Sequence, residues 1–204
     1  MSEQPVVSNS VEPCRRPGRP RDARAERAIL EATTDLIAEV GFGGLTVDLV
    51  ASRASVGKAT IYRRWSSKAE LVYAAFEASH EEWETPDTGS LRDDLVAVFD
   101  HLAEYVLDTP TGRALPAVVA ESETNPELAA LVHRFAHDRR SRTREVFERA
   151  VRRGEVGDEF DVELAIDMVT APVFYRRLLS GAPVKPGDGE RAVDMLLGGI
   201  TGAS

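Results

Sequence analysis

The sequence is short of the features that carry most enzyme chemistry and most membrane anchoring. It has one cysteine, Cys14, in 204 residues, so no internal disulfide can form and a reducing compartment fits. No apolar run approaches the roughly 18 residues that a membrane span needs. The opening MSEQPVVSNSVEP is polar, with neither an early basic patch nor an apolar core, so no secretory signal is expected. A cytoplasmic location without a membrane partner follows as the expectation. No Ser, His and Asp constellation, glycine-rich phosphate loop or cysteine cluster occurs, so neither an enzyme nor a bound cofactor is expected. His133 and His137 share a helix face, but the segment reads HRFAH, without the glutamate of a zinc-protease helix and without an evident third ligand. They are read as a solvated face, and no metal is expected. Internal repeats and convincing strands are missing as well.

Basic residues are also in deficit, with a net charge of −9, which at first argues against a nucleic-acid partner. The deficit is uneven. Between Arg15 and Lys68 there are 11 Lys and Arg against 6 Asp and Glu, whereas from Ala69 onward there are 14 against 26. Only the front of the molecule suits a polyanion, and a local basic surface is what phosphate contacts require.

What is present is helical periodicity. Residues 1–22 hold Pro5, Pro13, Pro17, Gly18 and Pro20 and end in Arg15, Arg16, Arg19 and Arg21, which reads as a disordered basic arm. From Asp22 the apolar positions Ile29, Leu30, Leu36, Ile37 and Val40 predict a first helix, closed by Gly41. Thr46 is placed to cap a short second helix through Val50 and Ala51. Ser55-Val56-Gly57 is only long enough for a tight turn before Lys58 to Trp65 resumes helical spacing. Ser67 and Glu70 have the spacing of a capping box. Further helices are predicted at about 90–107, 114–120, 126–153, 161–180 and 189–200, with Asn125 and Pro126 opening the long one, Gly154 closing it, and Pro172 kinking the next. The fold class is therefore all-α: an N-terminal three-helix domain at 23–70 and a larger helical bundle at 71–204, about nine helices in total.

The stretch VASRASVGKATIYRRWSSKAEL, residues 50–71, resembles the DNA-binding segment of the TetR family of transcriptional regulators, and the likeness extends over residues 24–76. The resemblance implies a helix-turn-helix whose second helix enters the major groove. Carried over by position, it implies phosphate contacts from Thr46, Thr60, Tyr62 and Lys68, and base-edge contacts from Lys58, Ala59, Arg63 and Arg64. These residue types suit those partners, because Arg bonds guanine bidentately, Ala touches a thymine methyl and hydroxyls reach phosphate oxygens. Two positions depart from the family pattern: Ser55 stands where members often carry Gly, and Gly57 where they often carry a Ser cap. Ile61 and Trp65 are expected to point inward. In the arm, Arg19 and Arg21 are placed to enter a narrow minor groove, with proline holding the backbone extended.

The later helices agree in number and spacing with the family's ligand-binding and dimerisation domain. A homodimer is implied, with Met168, Pro172, Tyr175, Val193, Leu196, Leu197 and Ile200 at the interface. A small-molecule effector is implied too, in a site lined by Phe99, Leu102, Leu115, Val118, Phe135 and Phe174. The resulting reading is a repressor that binds a palindromic site in double-stranded DNA and is released by an effector. Two readings stay open beside it: an architectural DNA-binding protein with no effector, and a small-molecule-binding helical protein with no DNA role.

Overall fold

The computed structural model describes the chain over residues 20–79, 83–157 and 159–201, and side chains over the same residues except 20–22, 200 and 201. Among these residues there are nine α-helices and no strand: α1 (Pro20–Gly44), α2 (Val47–Arg53), α3 (Lys58–Tyr62), α4 (Lys68–Ala78), α5 (Leu91–Asp108), α6 (Pro110–Ser122), α7 (Pro126–Arg153), α8 (Val162–Tyr175) and α9 (Asp188–Thr201). The helices begin where the sequence supplies an acceptor. Thr46, Ser67, Ser90, Thr109, Asn125 and Asp161 each accept, through the side chain, the amide three residues on, which satisfies one donor of the exposed first turn. Gly154 closes α7 in the left-handed region at φ 77°.

Four sequence expectations are adjusted. Helix α1 begins at Pro20, inside the segment read as an arm, and Gly41 (φ 72°) breaks it before one further turn. The capping box at Ser67 and Glu70 draws in Ser66 as well: the Glu70 amide donates to Ser67 Oγ at 3.1 Å, while the Glu70 carboxylate accepts chiefly from the Ser66 amide at 2.9 Å and the Ser66 hydroxyl at 2.8 Å, bonds that hold its pKa below the usual carboxylate value. Pro172 lies within α8. The irregularity comes one turn later, where the chain widens into a π-helical turn at Arg176–Ser180 and stops on Gly181. Helix α4, which lies almost wholly in the segment assigned to the C-terminal bundle, instead adds Leu71, Val72 and Phe76 to the N-terminal core.

The buried side chains form two clusters. One joins α1 to α4 around Ile29, Ile37, Val50, Ile61 and Trp65 and takes in Ala114 and Val118 of α6 and Leu128 of α7. The other joins α5, α7, α8 and α9 around Phe99, Phe147, Ile166 and Val193. Helix α6 lies between them, packed along α1 on one side and α5 on the other, and Leu115 and Phe135 touch both clusters. At the start of α9 the buried Asp188 accepts from the Lys185 amide at 2.8 Å and from Arg176 and Arg191. The amide, then Arg176, holds its carboxyl down to about 2, which ties the end of α8 to the beginning of α9 at neutral pH.

The tight turn before α3 carries a measurable strain. Ser55 sits at φ 54°, with the Val56 amide closing back on Ala51 O at 2.9 Å. A side chain in this region costs roughly 1–2 kcal/mol, whereas glycine returns about 0.5–1 kcal/mol of that as extra unfolded-state entropy. Ser55→Gly is therefore expected to stabilise the protein by about 0.5–1 kcal/mol and to raise the thermal midpoint by a few degrees in a calorimetric melt; a lowered midpoint would show that the Ser55 side chain is needed.

Candidate functional site

Helix α3 is held by what it buries. Ile61 and Trp65 are in the N-terminal core, as expected, so the remaining positions of this single short turn point outward. Tyr62 is 58% exposed, and Lys58, Ala59 and Arg63 are exposed, with Thr60 half-buried. A plain helical hairpin would bury Tyr62 and leave only charges outside, which is not the arrangement found. Thr46 caps α2 with its hydroxyl oxygen at 3.2 Å from the Leu49 amide and remains exposed. Lys58 is drawn to the start of α2 by an ion pair with Asp48. Lys68 donates to Phe42 O at 2.9 Å and lies 4.1 Å from the Phe42 ring centroid, so the structure gathers Thr46, Lys58 and Lys68 around the α1–α2 junction beside α3.

Arg64 does not join that group. Its guanidinium turns back to α1 and pairs with Glu26, which makes it a clamp between α1 and α3 rather than an outward base-reading side chain. Arg53 pairs bidentately with Glu39, at 3.0 and 2.8 Å, and fixes α2 on α1 in the same way. Arg19 lies outside the described residues, as does the side chain of Arg21.

The C-terminal helices enclose a cavity of about 470 Å³, within the 300–1,000 Å³ usual for small-molecule sites. Leu102, Leu115, Phe135 and Phe174 line it, as the sequence suggests. Phe99 and Val118 do not: Phe99 is solid core among α5, α8 and α9, and Val118 faces the N-terminal cluster. The lining also brings in residues that the sequence reading passed over, namely Trp83, His101, Arg139, Thr143 and Thr170. The Trp83 and His101 rings stack with centroids 4.4 Å apart and 3° between planes. Burial, with Arg139 and Arg142 nearby, lowers the His101 pKa to about 4. At the mouth Arg140 pairs with Asp167 and Glu163, bridging α7 and α8. The signal for Arg139 was its spacing, since Phe135, Arg139 and Thr143 run at i, i+4 and i+8 on the apolar stripe of α7.

Of the positions expected to pair two subunits, Met168 and Tyr175 are exposed on α8. Pro172 and Leu197 are half-buried, and the Ile200 side chain lies outside the described residues. Val193 and Leu196 turn inward to the core of their own subunit. The exposed apolar face instead runs through Leu164, Met168 and Tyr175 to Leu179, 77% exposed, and Met195 of α9, 79% exposed. Helix α8 is thus apolar on both sides: one face buries Ile166, Val169 and Val173, and the other is open.

The chain matches a family model described as bacterial regulatory proteins, tetR family, over residues 29–75, and one described as tetracyclin repressor-like, C-terminal domain, over residues 85–196. It is 37% identical over 169 residues to the helix-turn-helix transcriptional regulator YdeS of Bacillus subtilis, covering 82% of this chain and 85% of that one. It is 33% identical to the DNA-binding transcriptional repressor TetR of Mycobacteroides abscessus, over 76% of this chain and 82% of that one. The solved structure of the TetR family transcription regulator SCO0332 superposes with a TM-score of 0.71 at 28% identity, over 87% of this chain and 98% of that one. The second family model alone spans more than half of the chain, and with the outward α3 and the helical bundle behind it the conclusion is direct: this protein belongs to the TetR family of helix-turn-helix transcriptional regulators.

Proposed function

We infer that the protein is a homodimeric repressor that binds a palindromic operator through two copies of α3 and leaves it when a small molecule fills the cavity. The observation that carries this reading is the outward presentation of Tyr62 and Arg63 on a short helix whose inner face is locked by Ile61 and Trp65. Thr46, Thr60, Tyr62 and Lys68 serve as phosphate contacts, and Lys58, Ala59 and Arg63 as base-edge contacts. The Asp48 carboxylate holds Lys58 beside α2 and gives it up to a base edge in the complex. Pairing across Leu164, Met168, Tyr175, Leu179 and Met195 covers the exposed apolar face and sets the two recognition helices about 34 Å apart, one turn of duplex.

A cavity of this size favours the effector-controlled reading over a purely architectural DNA-binding protein. Helix α6 supplies the link: Leu115 and Val119 line the cavity, while Val118 and Ala114 sit in the core beneath the DNA-binding helices. A ligand that moves α6 moves α1 with it. The relative in Mycobacteroides abscessus is described as a repressor, which supports the same outcome here.

The test is selection of bound genomic fragments, followed by fluorescence anisotropy on the selected site and on random duplex at several salt concentrations. Binding is expected to weaken steeply with salt. Tyr62→Ala should reduce affinity about tenfold on both duplexes, whereas Arg63→Ala should cost about tenfold on the selected site alone and relax one base pair. Equal losses on specific and random DNA for both variants would overturn the assigned roles, and no binding at low salt would overturn the function.

A further inference from the structure

The cavity holds a cation that has no counter-ion among the described residues. Arg139 enters from α7 with its guanidinium 4.3 Å from the Tyr105 ring centroid and 5.3 Å from that of Phe135. Its Nη1 is buried and has no hydrogen-bond partner among the described residues. No carboxylate among those residues pairs with it; the Asp167 and Glu163 carboxylates at the mouth are engaged by Arg140. Arg142, a second cation near it, donates to Trp83 O at 3.2 Å. Burial lowers the Arg139 pKa to about 10, the direction expected when a charge loses water and gains no anion. Aromatic faces offset part of that loss, but they offer no acceptor to Nη1–H. A methionine would fill the same volume at lower cost, so packing alone does not account for an arginine here.

The wall beside this cation is flat and apolar. Trp83 and His101 stack in parallel, and His101 is neutral near pH 7, so the wall carries no second charge. The other polar groups of the lining are the Arg140–Asp167 pair at the mouth and the hydroxyls of Thr143 and Thr170, of which Thr170 already donates to Ile166 O at 2.9 Å. Among the described residues this lining offers Arg139 no anion, and its stacked rings present a flat apolar wall to the cavity.

We propose that the effector is an amphipathic organic acid, with a carboxylate or phenolate oxygen on Arg139 Nη1 and a planar apolar body against the Trp83–His101 stack. The proposal rests on the effector-controlled reading above and specifies its ligand class. Charge-assisted bonds of this kind are about twice as strong as neutral ones and select sharply for the acid when buried.

The experiment uses the full chain in a Trp65→Phe background, so that tryptophan emission reports Trp83, with that emission and thermal shift as readouts and matched probes: 2-naphthoate, 2-naphthamide and 2-naphthylmethylammonium, with decanoate as a non-planar acid. Naphthoate is expected to bind about tenfold or more tightly than the amide, decanoate more weakly than naphthoate, and the ammonium not at all. Arg139→Met is expected to lose about tenfold for naphthoate and to change the amide by less than about threefold. Because it removes an unpaired buried charge, this variant should melt no lower than the parent, which separates lost binding from lost folding. Equal affinity for acid and amide, an unchanged naphthoate affinity in Arg139→Met, or no binding by either acid would each overturn the ligand class and leave the DNA reading intact. Naphthoate binding that depends on Arg139 but leaves operator affinity unchanged would support the acid site and overturn effector-driven release.

Discussion

Leu179→Glu combined with Met195→Glu is expected to convert the protein to a monomer and to weaken operator binding by about two to three orders of magnitude. Both side chains are largely exposed in the single subunit, so the substitutions disturb neither core, and helical content and the melting of the isolated subunit should stay close to the parent. In the paired assembly proposed above, the same positions meet a second copy. Four carboxylates brought into one apolar interface lose hydration without gaining a partner, which costs several kcal/mol in total. Loss of pairing removes the gain from tethering two half-site contacts, typically a factor of about 10²–10⁴. Analytical ultracentrifugation reads the first effect and anisotropy on the selected site the second. A variant that remains dimeric would place the interface elsewhere. One that is monomeric yet binds the operator with parental affinity would show that pairing is not what positions α3.

The parts of this arrangement that could be read beforehand are those decided by neighbours in the chain. Asn125, Pro126 and Gly154 bound α7 because a side-chain acceptor, a missing N–H and a left-handed cap act within one turn. Ile61 and Trp65 point inward because helical spacing puts them on one face. Distant partners were not legible. Nothing local to Arg64 names Glu26, 38 residues earlier, as its partner. Periodicity finds an apolar stripe on α9 but does not say which surface covers it: it offers Val193 and Leu196 to a second subunit where their own core takes them, and it does not single out Met195, which is exposed. The cavity poses the same difficulty: Phe99 and Leu102 lie within one turn of α5, yet only Leu102 reaches the empty space. Helical spacing fixes a direction about the axis to within roughly the width of a side chain, and the boundary between core and cavity is narrower than that.

Gly112→Ala should be the most damaging single-methyl substitution in the C-terminal domain, costing about 3 kcal/mol or more and lowering the thermal midpoint by about 6–12 °C. Only Thr109 separates α5 from α6, and its hydroxyl oxygen accepts from the Gly112 amide at 3.0 Å. This sharp turn presses Gly112 against the end of α5: a Cβ there would lie 2.3 Å from both Tyr105 O and Val106 O. Those are backbone atoms, which cannot rotate away as a side-chain tip can, so α6 itself must shift. Gly43→Ala is the control, since its Cβ would meet only the Glu121 carboxylate at 3.9 Å. The functional consequence follows from where α6 lies. Leu115, one turn beyond Gly112, lines the cavity and touches both cores, so displacing the helix should change operator affinity in the ligand-free protein as well as lower its stability. Scanning calorimetry and operator titration on the two glycine variants test both halves. A Gly112→Ala protein that melts and binds like the parent would mean that α5 and α6 can separate without cost, and that α6 is not the lever between the cavity and the DNA-binding helices.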